Sequence, residues 1–116
     1  MIVFYELRHD AIEKGVSIMA RWIKADGSEQ DVHPANGYEF TNTELHNMVD
    51  GFLSGHTLTA RNAGGLFMFL DDEYLLKGKP VNQVATDLLH KHRANLAHIT
   101  IHGDVVVAGI DETGED

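Results

Sequence analysis

The chain has 116 residues, with 9 Lys and Arg against 18 Asp and Glu for a formal charge of −9, and it has no cysteine. That length fits one domain, and the missing cysteines exclude disulfides, thiolate nucleophiles and Cys-type zinc centres. The negative charge repels a phosphate backbone and sets nonspecific nucleic-acid binding aside, the lack of cysteine fits a reducing cytoplasm, and the absence of any apolar run near ~18 residues argues against a membrane span.

Residues 2–7, rich in Ile, Val, Phe and Tyr, read as a strand, and residues 10–14 as a turn of helix before Gly15, so 1–18 is expected to be an N-terminal strand or extension. A single α+β domain is expected over 19–110, followed by an acidic tail over 111–116. Residues 18–24 predict a strand, Asp26-Gly27 a tight turn, and 29–33 a polar, edge-like return strand. Thr41 and Glu44 form a T-x-x-E capping box with Phe40 placed to staple onto Leu45, which starts a helix at Asn42; Leu45, Met48, Val49 and Phe52 line one stripe, and Gly51 sits where the helix should end.

Residues 56–60 and 66–70 predict a second hairpin across a turn at 61–65. Leu66 to Leu70 is a run of apolar residues between Gly and carboxylates, a strand with no polar face, and it is read as the central strand around which the helices and neighbouring strands gather. Val81, Val84, Ala85 and Leu88 repeat the helical stripe from a start at Asn82 or Pro80 to an end near His92. Residues 97–102 alternate, with Ile99 and Ile101 on one face and His98, Thr100 and His102 on the other, and Gly103-Asp104 turns them into a strand over 105–108. The expected fold is a small antiparallel sheet of three hairpins, in the order hairpin, helix, hairpin, helix, hairpin, with two helices on one face.

Four motifs also resemble a known family. Met19-Ala20-Arg21-Trp22-Ile23-Lys24-Ala25-Asp26-Gly27-Ser28 is the first. The second is Phe40-Thr41 with Glu44-Leu45 and Val49-Asp50-Gly51, the third Lys77-Gly78-Lys79-Pro80-Val81-Asn82 with Ala85-Thr86, and the fourth Gly103-Asp104-Val105-Val106-Val107. In order and spacing they are similar to the family called domain of unknown function 3846, common in bacteriophages and mobile elements. The resemblance covers roughly residues 19–109 and implies a scaffold and a bacterial setting, without a reaction. The chain departs from the family at Asp50-Gly51-Phe52, where Gly-Gly and an aromatic are usual, and at Leu70-Asp71-Asp72-Glu73-Tyr74, which lacks the glycine of the usual turn.

Eight histidines invite a metal reading. However, His90 and His92 point apart on a helix, and His98 and His102 on one strand would sit about 13 Å apart, so neither pair chelates without Asp104, His56 or a second subunit; no metal and no cofactor are expected. His98-Ile99-Thr100 matches one H-x-T strand of two-histidine phosphoesterases, but the other candidate, His56-Thr57-Leu58, has its Thr on the opposite face. Lys77 and Lys79 with Arg61, Asn62 and Asn82 form the one local basic group, placed to receive an acidic or nucleotide-like ligand beside the second helix start. Trp22 is read as core or interface, and Asp71, Asp72 and Glu73 as a solvated turn.

Two functions follow as expectations. The first is a non-enzymatic phage or mobile-element accessory protein that acts by binding, sequestering a host protein or a small nucleotide signal in counter-defence, and that forms a homo-oligomer. The second is a small phosphodiesterase or metal-dependent hydrolase centred on His98, Thr100 and His56.

Overall fold

In the computed structural model the described residues are 20–37, 40–59 and 65–109. The expectations for 1–18, for Arg61 and Asn62, and for the tail at 111–116 lie outside them.

The first hairpin forms as read. Strand β1 (Ala20–Ile23) pairs antiparallel with β2 (Glu29–Val32). Their turn closes through Lys24 N–H to Ser28 O at 2.9 Å, with Gly27 in the left-handed region at φ 96°. Helix α1 (Asn42–Val49) begins at the Thr41 capping box, in which Glu44 N–H donates to Thr41 Oγ1 and Thr41 N–H to Glu44 Oε1. It ends at Val49, two residues before Gly51: the C-cap Asp50 takes the left-handed conformation, and the N–H groups of Asp50 and Gly51 both reach His46 O.

The second hairpin pairs β3 (Leu53–Thr57) with β4 (Leu66–Asp71). β3 starts three residues earlier than the sequence suggests, because Leu53 packs into the core beside Phe69 and pairs with Asp71. Gly55 is required there, since a Cβ would overlap Met68 O and the Phe67 ring. Helix α2 (Gln83–His92) is capped by Asn82, and a 3-10 turn, Ala94–Leu96, follows it before β5 (Val105–Gly109).

The five strands form one antiparallel sheet in the order β2-β1-β5-β4-β3. Three expectations are corrected here. The central strand is β5, with β4 beside it; Val105–Gly109 is buried along its whole length and pairs with β1 on one side and β4 on the other. The third hairpin does not form. Both neighbours of β5 are taken, and the Ile101 backbone is claimed by helix α2, its N–H donating to Thr86 Oγ1 and its carbonyl accepting from Asn82 N–H. Residues 97–101 are therefore outside the sheet, and their alternation reflects Ile99 and Ile101 dipping together into the core beneath α2.

The third correction is that the helices cover opposite faces. Leu45 and Val49 of α1 pack with Ala20, Val106, Ala108, Phe69 and Trp22, whereas Ala85 and Leu89 of α2 pack with Ile23, Leu66, Met68, Leu70, Val105 and Val107. Strand alternation divides β5 between the two clusters, and its unbroken apolar run requires a cover on each side. Connection α1 carries the chain from the β2 edge across one face to the β3 edge, and α2 fills the other. Leu66, Met68 and Leu70 of β4 are buried on the α2 face, and Phe67 and Phe69 are partly buried on the α1 face.

Asn82 locks these layers together. Fully buried, it accepts from Ala85 N–H at 3.0 Å as the helix cap and donates through Nδ2 to Ile23 O and Gly103 O. One amide joins α2, β1 and the entry to β5. Among the described residues no helix is long and apolar enough to cross a membrane.

Candidate functional site

Antiparallel pairing brings the start of β3, the end of β4 and the start of β5 to the same end of the sheet. The group organising that end is Asp71, which is 1% exposed rather than part of a solvated turn. Its Oδ1 accepts from Glu73 N–H at 3.0 Å and Phe52 N–H at 3.2 Å. Its Oδ2 has no well-angled hydrogen bond and is held by charge, 2.9 Å from Lys77 Nζ and 3.0 Å from Lys79 Nζ. Burial alone would raise the Asp71 carboxyl, but the Glu73 N–H and the two lysines outweigh it and hold the pKa at about 2, below its ordinary 3.8. In return Asp71 raises the Lys77 ammonium.

Both lysines also serve the end of α1. Lys79 Nζ donates to Val49 O at 2.9 Å and Asp50 O at 2.8 Å, and Lys77 Nζ reaches Asp50 O at 3.4 Å. Cations are favoured there because the last carbonyls of a helix carry its negative pole. Gly51 makes the approach possible, since a Cβ at that position would lie inside the Asp71 carboxyl group. Gly103 leaves room in the same way for the Lys79 stem, whose carbonyl is 2.9 Å from His102 Nδ1. Tyr74 packs against His102 with the ring centroids 5.3 Å apart and the planes tilted by 37°.

This rigid base carries an apolar crown. The large exposed apolar residues among those described are Phe52 at 62%, Leu75 at 68%, Leu76 at 87% and Val81 at 45%. All four are at this end. Phe52 precedes β3 and accepts from Asp72 N–H at 2.7 Å, Leu75 and Leu76 lie in the turn after β4, and Val81 bridges to His102 just before β5. Lys77 Nζ lies 5.9 Å from the Phe52 ring centroid, and the His46 ring meets Phe52 edge-on. Asp50 and Asp72 are exposed beside them.

The basic group expected from the sequence is divided. Lys77 and Lys79 are committed to Asp71 and to the C-terminus of α1, not to the start of α2, and Asn82 is buried with its amide fully engaged. Arg61 and Asn62 are outside the described residues. The histidine expectations also separate. His98 and Thr100 are exposed in an irregular segment, so no strand aligns them, whereas His56 is on β3 opposite Met68, on the α2 face. His90 is held by Ile99 O at 2.7 Å. Among the described residues no group of three or more His, Cys, Asp or Glu could hold a metal ion.

Trp22 packs beside α1 and donates from Nε1 to Met48 O at 3.1 Å, with Lys24 Nζ 4.2 Å above its ring. The role of Asp71 escaped the sequence reading. The available signal was a carboxylate closing an apolar strand, with two lysines six and eight residues later and a glycine after α1. No family model, curated protein or solved structure matches the chain.

Proposed function

We propose that the chain is a phage or mobile-element accessory protein that acts by binding a host protein, and that the Phe52, Leu75, Leu76 and Val81 end is its docking surface. The observation that carries this reading is that the large exposed apolar residues among those described gather at one end of the sheet. Two further features support it. The crown stands on the Asp71, Lys77 and Lys79 cluster, which limits the ordering cost of binding. The same cluster uses the two lysines that a nucleotide-like ligand would need, which favours a protein over a small nucleotide signal.

Site-specific photocrosslinking tests the proposal. A benzophenone side chain replaces Leu76 in one variant and Gln30 of the β2 edge in another, each produced in bacterial cells and irradiated. The expected result is a discrete adduct with one host protein from position 76, lost on adding Leu75→Ser and absent from position 30. Identical adducts from both positions, or none from 76, overturn the reading. An adduct of twice the chain mass replaces the host protein by a second copy.

A further inference from the structure

Resting on that docking reading, we infer the chemistry of the occupant: a protein segment that presents apolar side chains together with basic ones. The inference comes from how charge is distributed around the crown. Four carboxylates, Asp50, Asp71, Asp72 and Glu73, stand against the two ammonium groups of Lys77 and Lys79. The lysines would repel a basic partner if their charges faced solvent freely. The Lys79 charge does not, its side chain being 13% exposed; the Lys77 side chain is 38% exposed, but both ammonium groups contact Asp71 Oδ2 and the last carbonyls of α1, which offsets part of their charge.

What faces solvent around Phe52, Leu75 and Leu76 is therefore an excess of negative charge, led by the exposed Asp50 and Asp72. The chain's overall charge of −9 adds a long-range attraction of the same sign for a cationic partner. A second copy would bring −9 against −9, and an acidic ligand would meet the same repulsion. Apolar anchoring by the leucines and steering by the carboxylates select one partner type, an apolar surface with a basic rim.

The test uses the purified full chain and two probe peptides of about 18 residues, each with leucine on one helical face and either lysine or glutamate on the other. The leucine/lysine peptide is expected to bind saturably and the leucine/glutamate peptide not to bind. Leu75→Ser with Leu76→Ser should weaken binding at least about tenfold. Asp72→Asn with Glu73→Gln should weaken it about three- to tenfold and flatten its salt dependence. Glu29→Gln with Asp31→Asn, the same charge change on the β2 edge, should alter it less than about twofold. Circular dichroism melts confirm that each variant is folded.

Equal binding of both peptides, with the leucine pair still required, overturns the basic-partner inference and leaves the docking reading standing. Equal weakening by the β2-edge pair overturns the inference too, since the attraction would then belong to the whole chain. If the leucine pair has no effect, the docking reading itself fails. Absence of binding by either peptide also overturns the inference, while a crosslink from position 76 still sustains docking.

Discussion

Asp71→Asn isolates the charge that holds the candidate site together. The wild-type carboxyl has a pKa of about 2 against an ordinary 3.8, so its ionised form favours the folded state by about 2 kcal/mol before screening. Lys77 is 38% exposed, and screening on that side lowers the charge contribution to about 1–2 kcal/mol. The asparagine keeps the Oδ1 acceptor for Phe52 and Glu73 N–H but turns an N–H₂ donor toward two ammonium groups, adding about 1 kcal/mol. The expected total is a loss of about 2–3 kcal/mol, a fall of about 8–12 °C in Tm. Urea unfolding followed by Trp22 fluorescence should show a midpoint lower by about 1–1.5 M.

The pH dependence has a definite sign. A carboxyl whose folded pKa is depressed contributes stability above 3.8 and loses it as pH falls through about 2. The difference between wild type and Asp71→Asn should be constant at neutral pH and shrink below pH 3.8. A variant within about 0.5 kcal/mol of wild type at pH 7 would refute the reasoning, because surface substitutions away from such contacts cost no more.

Other perturbations probe separate joints of the fold. Gly51→Ala drives a Cβ into the Asp71 carboxyl and should cost about 3 kcal/mol in calorimetry, yet far less in an Asp71→Ala background, where the obstruction is gone. Asn82→Ala leaves Ile23 O, Gly103 O and Ala85 N–H without a partner and should cost about 3 kcal/mol in urea titration, with Asn82→Ser recovering about 1 kcal/mol through the restored cap. Thr41→Ala removes the capping-box acceptor and should lower stability by about 1 kcal/mol, read as a Tm fall of about 4 °C. Burial, with the Arg93 charge second, holds the His56 imidazole below its ordinary 6.5. Stability should therefore drop as pH falls below 6.5, and His56→Gln should reduce that slope in pH-resolved melts, leaving the part due to His92, which burial lowers in the same way.

Local signals were the legible part of the chain. The Thr41 and Glu44 box and the Asp26-Gly27 turn lie within a few residues of the groups they bind and form as read, and of the two starts open for the second helix, Asn82 or Pro80, the cap is Asn82. Decisions made at long range were not visible. β5 is central because β1, over eighty residues earlier, pairs on its free side, and the Val105 to Ala108 run did not distinguish that position from the equally apolar Leu66 to Leu70. Residues 97–102 have strand periodicity, but Asn82 and Thr86 take the Ile101 backbone groups, and periodicity carries no information about such competition. The candidate site was legible only in part. Lys77 and Lys79 were recognised as a pair, but their counter-charge, Asp71, and the helix end they cap are brought together only by the sheet.

The most direct measurement is amide chemical-shift mapping of the isotope-labelled chain as the leucine/lysine peptide is added. The docking account predicts saturable shifts confined to Phe52, Asp72, Glu73, Leu75, Leu76 and Val81 and to residues that contact them. Shifts centred on the β2 edge at Glu29–Val32, or around His56 and Arg93, would contradict it.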